Sequence, residues 1–145
     1  MSDWPDMAGR LVADGGHVLP IRVYYEDTDF SGAVYHANYL KFCERGRSDF
    51  LRLKNIYHHE IAAENGGGFV VRKMLCDFLK PARIDDLLCV ESQLLALSGA
   101  RIEMQQKVLR AAECLFAAKI TIALVDGKGR PQKLPEAMIA RLKQN

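Results

Sequence analysis

The chain predicts an α+β domain, an antiparallel sheet of about five strands with one face packed on one long central helix. Two observations predict it. Residues 36–54 carry apolar side chains at three- and four-residue steps, the spacing of a helix with one buried stripe. Residues 69–126 then read as four β-type segments divided by short turn-forming stretches. Strands joined by short turns pair antiparallel, and an apolar sheet face that covers a helix makes two layers around one core.

Size and composition agree. A chain of 145 residues suits a single domain with a real core. Its 49% apolar and 26% charged residues match soluble globular proteins and exclude both disorder and membrane embedding. No apolar run approaches the roughly 20 residues that span a bilayer. The start, MSDWPDMAGRLVADGG, is acidic where a secretory signal is basic and then apolar, so a cytoplasmic location is expected. Twenty basic and 18 acidic side chains leave a formal charge of +2, too little to imply nucleic-acid binding.

Residues 1–17 mix Asp, Gly and Trp without periodicity and read as a loosely packed arm with a short helical turn, from which Trp4 docks on the body or on a partner subunit. Residues 17–26 form the first strand, where Val18, Ile21, Val23 and Tyr25 are β-formers and Pro20 suits an edge. DTDFSG, residues 27–32, is a turn by composition. In the long helix Tyr39, Phe42, Cys43, Gly46, Phe50 and Leu53 form the apolar stripe, and Arg45 and Asp49 are spaced to pair. Small residues, Ala37 and Gly46, let its axis approach the sheet. Nineteen residues give a rod of about 28 Å, long for this chain. After a further helical turn, three glycines at 66–68 stop any helix. Strands are expected at residues 69–79, 87–97, 100–110 and 113–126. In the third of these, Ile102, Met104, Gln106 and Val108 share a face. Pro135 opens a short final helix.

Cys43, Cys76, Cys89 and Cys114 form no CxxC pair and sit in apolar segments, so they read as buried, reduced thiols. His58 and His59 are adjacent and point apart on a helix. No metal or other cofactor is expected.

The chemistry concentrates where the first strand breaks before the helix. Asp29 offers a carboxylate there. Asp before a helix is also a common N-cap, a role open equally to Asp27 and Thr28. His36 suits capping or packing, or else an acid or water-orienting role. Tyr25, Tyr35 and Tyr39 read as core or pocket wall, and Glu26 and Asp27 as solvated or paired.

Residues 22–39, RVYYEDTDFSGAVYHANY, resemble the signature of the 4-hydroxybenzoyl-CoA thioesterase family, most of all its YbgC-type branch, associated with the Tol–Pal system. The elements T-D-x-x-G-x-V and Y-H-x-x-Y carry the resemblance. The order of elements over residues 18–130 agrees with that family's hotdog fold, a sheet wrapped around a long helix. The domain is therefore drawn at 18–145, with 1–17 as an extra arm.

The resemblance implies an acyl-CoA thioesterase. It makes Asp29 the catalytic carboxylate, makes Gly32 the glycine that lets the loop approach the thioester, and places His36 beside the carbonyl; Asp29 and His36 are therefore expected to be catalytic, and Gly32, Val34, Tyr35 and Tyr39 are expected to contact the substrate. It also implies a homodimer joined edge to edge, commonly assembled into a tetramer, with Asp29 of one chain facing the helix N-terminus of the other. Acyl-CoA is the expected substrate, and acyl carrier protein is admitted as a partner. The reaction needs a nucleophile or an activated water, and donors for a developing oxyanion. Asp29 can supply the first, and the unpaired amides near Tyr35 and His36 the second. Arg72, Lys73, Lys80, Arg83, Lys128 and Arg130 are candidates for CoA phosphates. A hotdog dehydratase and a non-catalytic module that binds acyl-CoA or acyl carrier protein in an envelope complex are the alternatives.

Overall fold

The structure is a computed structural model that describes residues 9–144. Trp4 lies outside the described residues. A six-stranded antiparallel sheet is built from β1 (Arg10–Leu11), β2 (His17–Arg22), β3 (Gly68–Phe78), β4 (Leu87–Ser98), β5 (Arg101–Arg110) and β6 (Glu113–Val125). Its strand order is β1-β2-β4-β5-β6-β3. The helices are α1 (His36–Leu53), α2 (His58–Asn65) and α3 (Glu136–Lys143). None of them is long and apolar enough to cross a membrane.

Three features depart from the sequence expectation. The connection from β3 to β4 does not make them neighbours: β3 pairs with β6, while β4 lies between β2 and β5. The described part of the N-terminal arm is also tied down. Arg10 and Leu11 pair with Val18 and His17, and residues 13–15 form a 3-10 turn with Asp14 at φ 68°. The first strand is shorter than expected, because Tyr25–Asp27 coil into a second 3-10 turn.

The sheet curls around α1. Tyr39, Phe42, Cys43 and Phe50 are buried as the stripe requires, and Leu51 takes the place at the end that Leu53 was expected to fill. Gly46 faces the sheet at its closest approach, where a Cβ would lie 2.8 Å from Val90 Cγ1. Ile102, Met104, Gln106 and Val108 of β5 are all fully buried. Of the four free cysteines only Cys43 is buried, and burial raises its thiol pKa to about 12.

A polar row crosses the sheet beneath Gly46. His17, Ser92, Gln106 and Ala118 stand opposite one another on β2, β4, β5 and β6. Gln106 donates to the Cys43 carbonyl at 2.9 Å and to Ser92 Oγ at 2.8 Å, and accepts from Arg47 Nη1 at 3.0 Å. At the other end of the row, His17 Nε2 lies 2.6 Å from Asp49 Oδ2, which also accepts the Gly9 amide at 2.7 Å. Asp49 therefore pairs with His17, not with Arg45.

Burial lowers the His17 pKa below its usual value, outweighing the opposing pull of Asp49, and Nδ1 has no hydrogen-bond partner among the described residues. Below about pH 6.5 the unfolded chain then binds the proton that the folded one resists. The stability held by the neutral ring is complete above that pH and is lost as pH falls through it. Calorimetry should show the melting temperature falling between about pH 7 and 5, with a shallower fall in His17→Gln.

Candidate active site

The site is built on the loop between β2 and α1. Thr28 and Val34 form an isolated bridge, so residues 28–34 fold back as a narrow hairpin, and Ala33 bridges in turn to Arg83. Backbone bonds from Asp29 N to Ala33 O (2.9 Å) and from Gly32 N to Asp29 O (3.0 Å) close its tip. Gly32 sits at φ +87°, where an L side chain is strained. Val34 N donates to Ala82 O at 2.9 Å, which fastens the hairpin to the segment that precedes β4.

α1 is held against this hairpin by one acceptor. The Asp27 carbonyl receives Tyr35 N at 2.9 Å and the Asn38 side-chain amide at 2.8 Å. Tyr35 is the N-cap, and no side chain caps the helix. The capping role open to Asp27, Thr28 and Asp29 is thus unfilled: the Asp27 carboxylate accepts Tyr24 N at 2.9 Å and the Thr28 hydroxyl donates to Tyr25 O at 2.8 Å. Because Tyr35 N and Asn38 N are both bonded, the amides left without an acceptor among the described residues in the first turn are those of His36 and Ala37. They carry the positive end of the helix dipole.

Asp29 is exposed and makes no ion pair among the described residues. Its Oδ1 accepts both the Ser31 hydroxyl, at 2.5 Å, and the Ser31 amide, at 2.9 Å, which leaves Oδ2 without a partner among the described residues. These two bonds, the hydroxyl first, hold its pKa below the usual carboxylate value, with a smaller contribution from the charge of His36. Asp29 opens onto a cavity of about 360 Å³ that Tyr25, Thr28, Phe30, Gly32 and Ile84 also line.

The expected site residues divide into two groups. Asp29, Gly32, Tyr35 and His36 lie on the exposed surface of the loop and helix start. The His36 ring packs against Tyr35 and meets Phe78 edge-on, with centroids 4.6 and 6.0 Å away. Val34 and Tyr39 lie in the core, 6% and 4% exposed. The Tyr39 ring stacks on Phe116, and its hydroxyl accepts Ala82 N at 2.9 Å. Both therefore support the loop from behind.

Among the basic candidates, Lys80 is paired with Glu113 and Arg130 with Asp126. Arg72 and Lys73 line a separate cavity with Arg101 and Lys119. Arg83 stands at the site, its Nη1 4.0 Å from where Gly32 would carry a Cβ.

Sequence reasoning missed Ser31, Asn38 and the fully exposed Phe30. An aspartate in a turn commonly bonds the backbone two residues on, and that signal was available to find Ser31.

Comparison with known proteins places the chain. The model of the thioesterase-like superfamily matches residues 23–142. The acyl-CoA thioesterase YbgC of Haemophilus influenzae is 41% identical over 128 residues, covering 88% of this chain and 94% of the relative. A probable thioesterase from Bartonella henselae, known from its crystal structure, is 45% identical with a TM-score of 0.80, covering 83% of this chain and 99% of that one. A mutant 4-hydroxybenzoyl CoA thioesterase solved with 4-hydroxybenzoyl CoA is 16% identical, with a TM-score of 0.83 over 88% of this chain and 99% of its own; this likeness shows the hotdog fold alone. With a family model spanning most of the domain and a relative matched along nearly its whole length, the chain belongs to the thioesterase-like superfamily and, within it, to the YbgC group.

Proposed function

We propose that this protein hydrolyses acyl-CoA thioesters to a free acid and CoA. The observation that carries the reading is the state of Asp29. It is an ionised, solvent-facing carboxylate with one oxygen held and the other free, on the loop that leads into a helix with unpaired first amides. The Haemophilus influenzae relative, an acyl-CoA thioesterase, supports the substrate class.

In this mechanism Asp29 Oδ2 either attacks the thioester carbonyl or takes a proton from the water that does. The carbonyl oxygen gains charge and is held by the amides of His36 and Ala37, a type of contact worth about 3 kcal/mol per donor in the transition state. Collapse breaks the C–S bond and CoA leaves as the thiolate, which takes up a proton. After direct attack, water then hydrolyses the acyl-aspartyl anhydride. His36 orients water or the carbonyl. Gly32 and Tyr35 border the reacting group, with Val34 and Tyr39 as the wall behind. Arg83 meets a CoA phosphate at the rim.

The active form is a homodimer or a dimer of dimers, with the Asp29 loop of one chain facing the α1 N-terminus of the other. Strand β3 supports this. It ends the sheet, is 11 residues long and exposes Val70, Val71 and Leu75, the kind of edge that pairs with a second strand. The setting is the cytoplasm, where acyl-CoA is made and used.

Thiol release from a panel of acyl-CoA substrates tests the activity, and crotonyl-CoA hydration without release would favour the dehydratase instead. Asp29→Asn should fold normally and lower kcat about a thousandfold; near wild-type turnover would remove Asp29 from the chemistry. His36→Ala should lose less, and Arg83→Gln should raise KM for acyl-CoA with little change in kcat. The depressed Asp29 pKa keeps the active carboxylate ionised, so the acid limb of the rate should lie below the ordinary carboxylate pKa of about 4. In Ser31→Ala the acid limb of kcat/KM should move to higher pH.

A further inference from the structure

Arg47 is the most buried guanidinium among the described residues, 8% exposed, and it has no carboxylate within ion-pair distance there. Its hydrogen bond goes to the neutral amide of Gln106. Burial lowers its pKa, with Glu44 pulling the other way only through space, and a buried cation without a bonded counter-charge is destabilising. The side chain lines a cavity of about 250 Å³ between α1, α2 and β3. Glu44, one helical turn earlier, lines the same cavity, is exposed, and makes no ion pair among the described residues. The far wall is Phe69, Val70 and Val71 of the unpaired edge strand, with the two valines 43% and 48% exposed.

This surface is complementary to itself. A two-fold axis brings residue i of one copy to residue j of the other and j to i. If two α1 helices lie antiparallel, acidic and basic groups three residues apart on one flank then meet their opposites twice. We propose that Arg47 and Glu44 of one copy form ion pairs with Glu44 and Arg47 of a second copy, closing the cavity. The inference rests on the edge-to-edge dimer proposed above and names the charge pair that sets its register. A second copy fits better than a small anion because one wall of the cavity is a strand edge with exposed valines, a surface that another protein chain covers.

The test uses full-length chains and sedimentation velocity. Glu44→Lys and Arg47→Glu should each weaken the homodimer at least tenfold, since each places two like-charge contacts at the axis. Mixed together, differently tagged, the two variants should form a heterodimer with a Kd within a few-fold of wild type, because both contacts become attractive again. Should Arg47→Glu not fold, Glu44→Gln and Arg47→Met make a cycle on the dimer Kd, where a coupling of tenfold or more is expected. Additive effects, or a heterodimer no tighter than either homodimer, would overturn the pair while leaving the dimer standing. Coupling seen in unfolding but absent from dissociation would mean a pair within one chain and would also overturn it. A monomeric wild type would sink the dimer and the pair together, without touching the catalytic reading.

Discussion

A helix can pass through the hollow of a sheet only if every polar group on its buried side finds a partner there. α1 carries Arg47 and Asp49 around the position where Gly46 brings it closest to the strands. The sheet answers with His17, Ser92 and Gln106, three polar side chains in register on three strands. Gln106 does most to fix the helix, because its amide reaches the backbone of α1 through the Cys43 carbonyl as well as Arg47. The bonds of this network form in one register of helix against sheet, and sliding α1 by a turn breaks them.

That register decides where the helix begins, and so where its free amides point. The remaining adjustment is local. The Asp27 carbonyl takes two bonds from the first turn of α1, and the hairpin that follows turns Asp29 outward. Tyr39 joins the two levels, since its ring stacks on β6 through Phe116 while its hydroxyl holds the segment under the loop. Ser31 thus holds the Asp29 carboxylate from one side, and the Asp27 carbonyl holds the start of the helix.

Local pattern carried most of the fold. The start of α1 at His36 and the whole of α3 follow from apolar spacing and from Pro135, and the β-strands after the glycines begin and end within about a residue of their hydrophobic runs. What was illegible lies at long range. Adjacent segments were taken as adjacent strands, but the eight residues between β3 and β4 are enough to let β3 leave for the far edge beside β6. The alternation in β5 placed Gln106 among apolar neighbours without saying why, because its partner Arg47 is 59 positions away. Asp49 was matched to Arg45 one turn along, and the structure gives it His17, 32 positions back. The motif singled out Asp29 and His36, and both lie on the exposed surface of the loop and helix start. The use of Tyr35 N by Asp27 O, and the sinking of Tyr39 into the core, depend on how the hairpin folds over α1, which no spacing rule encodes.

The two borders of the sheet differ, and this asymmetry bears on how large an assembly can grow. On one side the last described strand, β1, is a two-residue strip whose neighbourhood is anchored by Gly9 on Asp49. On the other, β3 runs for 11 residues with open backbone groups. Molecules with two long adhesive borders can add to each other without end and make fibres. One long border and one stub allow a single symmetric joining, after which the extended border is used up and growth by strand addition stops.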